Sequence, residues 1–357
     1  MQADLLNEAR RQAEICNACR YCEGYCAVFP SLHRERAFAD GDLTHLANLC
    51  HNCRGCYYAC QYTAPHEFDL NLPAALADVR QASWQDYAWP RSLSAIFHAS
   101  GVALAAALVA GFAAILLALW LLVPAGGEGF YAVMSHGAMV AIFAPAFLFP
   151  LASLAVSLRR YWRDTGGGAL RSADLVAAVR AAARMDNLGG GHGDGCNFED
   201  EDRFSHARRH AHHAVMYGFL LCFLSTSSGT VLHYGFALEA PYPFWSLPKL
   251  LGVPGGILMV IGTLLLARLK LQSDRSLGAA AVWGGEMGFL FLLFFVAATG
   301  LGLYWLGGTN LMPGLLALHL GAVLTFFLLT PYTKMAHGFF RLAALTEEMR
   351  RLREISR

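Results

Sequence analysis

The chain has 357 residues, of which 56% are hydrophobic and 15% charged, and its formal net charge is +1. Soluble domains carry about 25% charged residues, so a wholly soluble or disordered chain is excluded, and a charge so near zero leaves no basic face for nucleic acid. Eight of the ten cysteines fall within the first 60 residues, so two compositions are joined in one chain.

Residues 1–91 are polar, with eight Arg against eleven Asp and Glu, and contain no apolar run long enough to cross a bilayer. Acidic residues at Asp4, Glu8 and Glu14 make a signal peptide unexpected. Within this part Cys16-x2-Cys19-x2-Cys22-x3-Cys26 recurs as Cys50-x2-Cys53-x2-Cys56-x3-Cys60, each run followed by a proline, Pro30 or Pro65. Three closely spaced cysteines wrap one face of a four-iron cube, and the fourth, on the next helical turn, points to a neighbouring cube. The expected ligands are Cys16, Cys19, Cys22 and Cys60 for one [4Fe–4S] cluster, and Cys50, Cys53, Cys56 and Cys26 for a second. Structural zinc uses paired cysteines and has no role for a third at the same interval.

From Ser92 the character changes. Segments 92–123, 129–158, 210–238, 250–267 and 287–333 contain no Asp, Glu, Lys or Arg. The last has 47 residues and is broken by Gly307-Gly308-Thr309-Asn310 and Pro313-Gly314, so it reads as a helical hairpin. At about 20 apolar residues per crossing, the count is six membrane spans. If the N-terminus is inside, the inner segments 159–209, 268–286 and 334–357 hold nine, three and six Lys or Arg, whereas the outer loops 124–130, 239–249 and 307–314 hold one, Lys249. That asymmetry places both termini in the cytoplasm, a reducing compartment where a disulfide framework is not expected.

The long inner segment reads as an amphipathic helix over 171–185, then a glycine-rich loop over 189–197 containing His192 and Cys196. The loop has no Gly-Lys-Ser/Thr ending and is no phosphate loop. It reads either as a metal site or as a docking element between the two halves, since glycine allows close backbone approach.

Histidines within spans are functional candidates, and beside iron–sulfur clusters the first candidate is axial ligation of haem b. His98, His210, His212, His213 and His337 lie near the inner face; His136, His233 and His319 lie near the outer one. His98 reads as interfacial. His319 and His337 are 18 residues apart, five helical turns and about 27 Å, so they share one face at two depths. On the antiparallel span, His213 and His233 are roughly 200° apart and His212 and His233 roughly 60° off at about 100° per residue. An inner haem between His337 and His212 or His213 is therefore better supported than an outer one on His319 with His233 or His136. Trp84 and Trp89 precede the first span and suit either a quinone site or an interfacial belt.

The tandem cysteine runs, the six spans, the loop 189–197 and the segment 208–217 resemble the TcuB family, tricarballylate utilisation protein B, also called CitB, over essentially the whole chain. The membrane half is similar in layout to the gamma subunit of respiratory nitrate reductase, in which two helices three spans apart carry paired histidines. The span carrying His212, His213 and His233 departs from that pattern in its longer spacing. The resemblance implies electron transfer from a separate FAD-dependent tricarballylate dehydrogenase, through the clusters and haem b, to the quinone pool of a bacterial inner membrane. Two other readings remain: a quinol-oxidising partner of a cytoplasmic reductase of the heterodisulfide-reductase type, and a redox sensor. The expected architecture is mainly α. A two-cluster ferredoxin-like helical domain (1–91) is followed by a six-span haem b bundle (92–337, inner loop 159–209) and a basic cytoplasmic tail (338–357).

Overall fold

The structure is a computed structural model describing residues 2–26, 28–122, 129–199 and 203–355; the side chains of 95–100, His98 among them, lie outside the described residues. The molecule is 76% helical. Among the described residues there are thirteen α-helices and no strand, the only bridge joining Cys196 and Ser205.

The N-terminal part builds five helices: α1 (Gln2–Cys19), α2 (Val28–Arg34), α3 (Asp40–Leu49), α4 (Gly55–Tyr58) and α5 (Leu72–Tyr87). Helix α5 starts where Asn71 accepts a hydrogen bond from the Ala74 amide at 3.2 Å, with Pro73 in the first turn. A side-chain cap and an early proline both suit a helix N-terminus. Each cysteine run breaks a helix, and the repeat extends to the backbone. The residue after the second cysteine is an arginine in the left-handed region in both runs, Arg20 at φ 57° and Arg54 at φ 69°.

Six helices are long and apolar enough to cross a membrane: α6 (Ser94–Leu122), α7 (His136–Asp164), α9 (Ala207–Phe236), α10 (Leu247–Gln272), α11 (Trp283–Leu306) and α12 (Met312–Leu329). Their outward faces are apolar: Leu122 is 79% exposed and Val231 60%. A continuous apolar surface of this extent is an aggregation hazard in water and suits hydrocarbon. Small residues set the helix spacing, as is common within membranes. A Cβ on Gly288 of α11 would lie 2.5 Å from the Gly101 backbone of α6, and one on Gly262 of α10 would lie 2.8 Å from Val215 of α9. Helix α9 packs along its length on α10, and it meets α7 and α12 through rings, Phe147–Phe223 at 6.4 Å and Phe219–Phe326 at 5.7 Å.

The expected amphipathic helix is α8 (Ser172–Arg184). The segment expected as a basic tail instead forms α13 (Ala336–Ile355), which lies in the core of the N-terminal domain. Phe340, 1% exposed, packs edge-on to Tyr161 of α7 and stacks on Trp84 of α5. Its basic residues are used in pairing: Arg353 grips Asp174 of α8 at 2.9 Å, and Arg351 reaches Glu35 at 3.0 Å. Glu348 of α13 receives Arg34 of α2 at 2.5 Å and lies 3.5 Å from buried His45. Sequence periodicity does not reveal this because α13 buries a charged helix among charges of opposite sign. Truncating Phe340 to Ala should cost about 3–5 kcal/mol, read as a lower unfolding temperature of the detergent-solubilised protein; an unchanged temperature would show that α13 is not part of the core.

Candidate functional site

The two cysteine runs fold back on one another. Cys16, Cys19, Cys22 and Cys60 line one cavity of about 190 Å³, closed at its inner side by Cys56, Leu72 and Pro73 and bordered by Tyr21, Tyr57 and Tyr62. Cys26, Cys50, Cys53 and Cys56 line a second, tighter space with His51, Asn52 and Arg54. In both, the fourth cysteine of one run joins the first three of the other. Burial, with Cys60 beside them, pushes the Cys16 and Cys22 thiols up to about 12. Thiols so crowded release their protons when metal replaces them. Among the described residues no group of three or more His, Cys, Asp or Glu closes on a single metal ion. Four thiols gathered at each of two spaces are the donor set that a four-iron cube takes.

The glycine-rich loop docks on both cysteine runs. The Gly191 amide donates to the Tyr25 carbonyl at 2.6 Å and the Asn197 amide to that of Cys53 at 2.9 Å. A Cβ on Gly191 would lie 1.5 Å from the Gly24 carbonyl oxygen, and Gly195 turns at φ 106°, so glycine is required at both. His192 meets Tyr25 edge-on at 5.0 Å. Cys196 is buried against Cys53, Met185 and Leu188, and its thiol donates to the Leu188 carbonyl at 3.5 Å. Hydrogen bonding from Cys196 and then from Cys26 holds Cys53 well below the ordinary thiol range, while the same contact with Cys53 and burial hold Cys196 up. The loop is therefore a docking element, and Cys196 is a ninth cysteine beside the eight of the runs. Sequence reasoning left it without a firm role because its partner is 143 positions away in the chain.

Three arginines reach the Cys50–Arg54 loop from different elements, and a fourth, Arg54, belongs to the loop itself. Arg80 of α5 donates to the Cys50 carbonyl at 2.6 Å and Arg341 of α13 to the same oxygen at 2.7 Å. Arg208 of α9 donates to the Asn52 carbonyl at 2.8 Å, and Arg54 Nε to the Asn52 side chain at 3.0 Å. Arg54 and Arg208 face the Phe198 ring at 4.5 and 4.2 Å. Burial, and then Arg80 nearby, push Arg341 down to about 9. Nothing in the local sequence marks Arg54, Arg80 or Arg341 as a residue of this site.

Beneath this loop lies the inner histidine pair. His337 of α13 and His212 of α9 face one another at 5.8 Å between ring centres, with planes 76° apart. Two imidazoles bound to one metal at about 2 Å each have ring centres roughly 6 Å apart. The His337 Nδ1 donates to the Lys334 carbonyl, which leaves Nε2 as its lone-pair nitrogen, as an axial ligand requires. Burial, and then the nearby His212, hold His337 well below its ordinary value. His213, the alternative partner, instead stacks on Tyr217 at 5.7 Å. At the other end of the bundle His136 stacks on His233 at 4.1 Å and its Nε2 lies 3.0 Å from the Tyr234 hydroxyl. His319 lies against α11, its Nδ1 3.0 Å from the Thr299 hydroxyl. His337 and His212 are thus in ring contact, whereas His319 lies on α12 and His337 on α13, with the helix interrupted at Thr330–Tyr332, so the two do not share one helix face as the sequence led one to expect. Trp84 is buried 6.5 Å from His337 and its indole N–H donates to Asn48 at 2.8 Å, whereas Trp89 is 41% exposed.

A helical multi-pass membrane protein with a ferredoxin-like cysteine domain is the class that this fold and this cysteine pattern define. A family model described as the citrate utilization protein B Fer4-like domain matches residues 9–88, and one described as citrate utilization protein B matches residues 88–355. Citrate utilization protein B of Escherichia coli is 41% identical over 348 residues, 95% of this chain and 90% of that protein. No solved structure matches. The chain belongs to the citrate utilization protein B family, as its cysteine runs and spans led one to expect. Replacing Gly191 by Val should undock the loop, so that maleimide labelling of Cys196, followed by peptide mass spectrometry, rises several-fold over the parent; equal labelling would show that the close approach at Gly24 does not hold it.

Proposed function

We propose that this protein is a membrane-anchored electron-transfer subunit that reoxidises a separate FAD-dependent dehydrogenase of a tricarboxylic acid, tricarballylate by resemblance, and reduces membrane quinone. The observation that carries the reading is an unbroken chain of contacts from cysteine to span. The Cys50 carbonyl is held by Arg341, Arg341 lies one turn beyond His337 on α13, and His337 faces His212 of α9. Two [4Fe–4S] clusters and one haem b, when bound, would supply one-electron carriers between a two-electron flavin and a two-electron, two-proton quinone.

In this reading Cys16, Cys19, Cys22 and Cys60 hold the outer cluster, and Cys19, exposed in the structure, brings it nearest to the dehydrogenase. Cys50, Cys53, Cys56 and Cys26 hold the inner one, with Cys56 lying between the two cavities. His212 and His337 hold the haem in this reading. The cluster domain and both termini face the cytoplasm, which fits the Lys and Arg placement of the inner loops.

Iron outside haem and acid-labile sulfide should each come to about eight per chain, as two four-iron cubes require; about four of each would remove one cluster. The reduced-minus-oxidised spectrum should show a b-type band with a haem-to-chain ratio near one. That band should vanish in His337→Ala and in His212→Ala and persist in His213→Ala. A band surviving His337→Ala would end this ligand assignment, and a protein with clusters and haem that takes no electrons from the reduced dehydrogenase would end the functional reading.

A further inference from the structure

The repeat of the cysteine run sets up an internal comparison. Arg20 and Arg54 hold the same place in the two runs and share a left-handed backbone, yet Arg20 is exposed and Arg54 is 4% exposed. Around the second run, Arg80, Arg208 and Arg341 arrive from α5, α9 and α13 and all donate to backbone oxygens of the Cys50–Asn52 segment. The ion pairs of this half lie elsewhere, at Arg34–Glu348, Arg351–Glu35, Arg350–Glu347 and Arg353–Asp174. Among the described residues none of the four arginines around the second run joins an ion pair; the acids whose charge reaches them are Asp78 at Arg80 and Asp274 at Arg54. The Arg341 Nε is buried with no partner at all. Arg54 and Arg80 are buried and Arg208 and Arg341 half-buried, and gathering four cations so around one loop is costly unless negative charge is placed there.

We infer that Arg54, Arg80, Arg208 and Arg341 form a cationic collar that stabilises negative charge at the second four-cysteine site, so that an electron arriving there is held more favourably than at the first. The inference rests on the two-cluster reading above. Each cluster's couple is a one-electron reduction, which adds one negative charge. In a poorly solvated setting a fixed positive charge a few ångströms away lowers the energy of that added charge, and charge and hydrogen bonding are established levers on such potentials. The first site, opening to water beside exposed Tyr21 and Arg20, lacks this collar. The collar thus gives the relay a direction, from the exposed site inward to His337. These are positioning residues, since none touches a reacting substrate.

The test is a potentiometric titration of the purified holoprotein, following both cluster signals by electron paramagnetic resonance and the haem by its absorbance. The inner cluster is identified as the signal left unaltered by Cys19→Ser. At its parental midpoint, Arg341→Gln should lower the ratio of reduced to oxidised inner cluster about tenfold, 59 mV for a one-electron couple, with the outer cluster unmoved. Arg341→Lys, which keeps the charge, should restore most of that ratio. If Arg341→Gln loses iron, Arg208→Gln reads the same quantity from the opposite side of the loop. An unmoved inner cluster would overturn the inference, as would an equal shift in the lysine variant, and so would a shift confined to the haem, which would assign the arginines to haem carboxylates. Absence of clusters from the parent protein would instead overturn the two-cluster reading itself.

Discussion

Two guanidinium groups on one carbonyl oxygen organise this molecule. The Cys50 carbonyl accepts from Arg80 at 2.6 Å and from Arg341 at 2.7 Å, and these come from helices on either side of the six spans in sequence. Charge-assisted hydrogen bonds are the stronger kind, and here they fix the second cysteine run to the helix that follows the membrane bundle. Much else depends on that junction. His337 sits one turn before Arg341, so the register of α13 places the imidazole against His212. Phe340, between them in sequence, fills the core that Trp84 and Tyr161 share. A single helix therefore sets the packing of the cysteine domain and the placing of its nearest histidine.

The parts of the fold that follow from local pattern were legible in the sequence. Uncharged stretches of span length became α6, α7, α9, α10, α11 and α12, and the amphipathic stretch became α8. The cysteine repeat was legible for a different reason: its spacing is tied to the size of what it would hold, and the structure gathers the runs into two groups of four. The choice between His212 and His213 was not legible. Helical angle sets the two about 100° apart without saying which of them meets the helix after the bundle; in the structure His212 contacts His337 while Tyr217 takes His213 as a stacking partner. The arginines around Cys50 were invisible for the same kind of reason. Arg80, Arg208 and Arg341 are scattered through polar segments, where a lone arginine reads as a solvated one, and only tertiary structure turns them inward.

The glycine-rich loop shows how a segment without regular structure becomes rigid. It is tied at Gly191 and Asn197 to the backbone of the two cysteine runs, and Phe198 is clasped between Arg54 and Arg208. Its glycines are needed for contact distance at one point and for a left-handed turn at another. The loop thereby joins the first run, the second run and the start of α9, and so braces the cysteine domain against the bundle.

The placement of α13 also bears on how the protein comes to be made. Chains fold from the N-terminus during synthesis, and the cysteine domain leaves the ribosome first. Its core is nevertheless incomplete until residues 336–355 emerge, after all six membrane helices. The contacts that α2, α5 and α8 make with α13 are therefore the last to become available, after every long apolar helix has been synthesised.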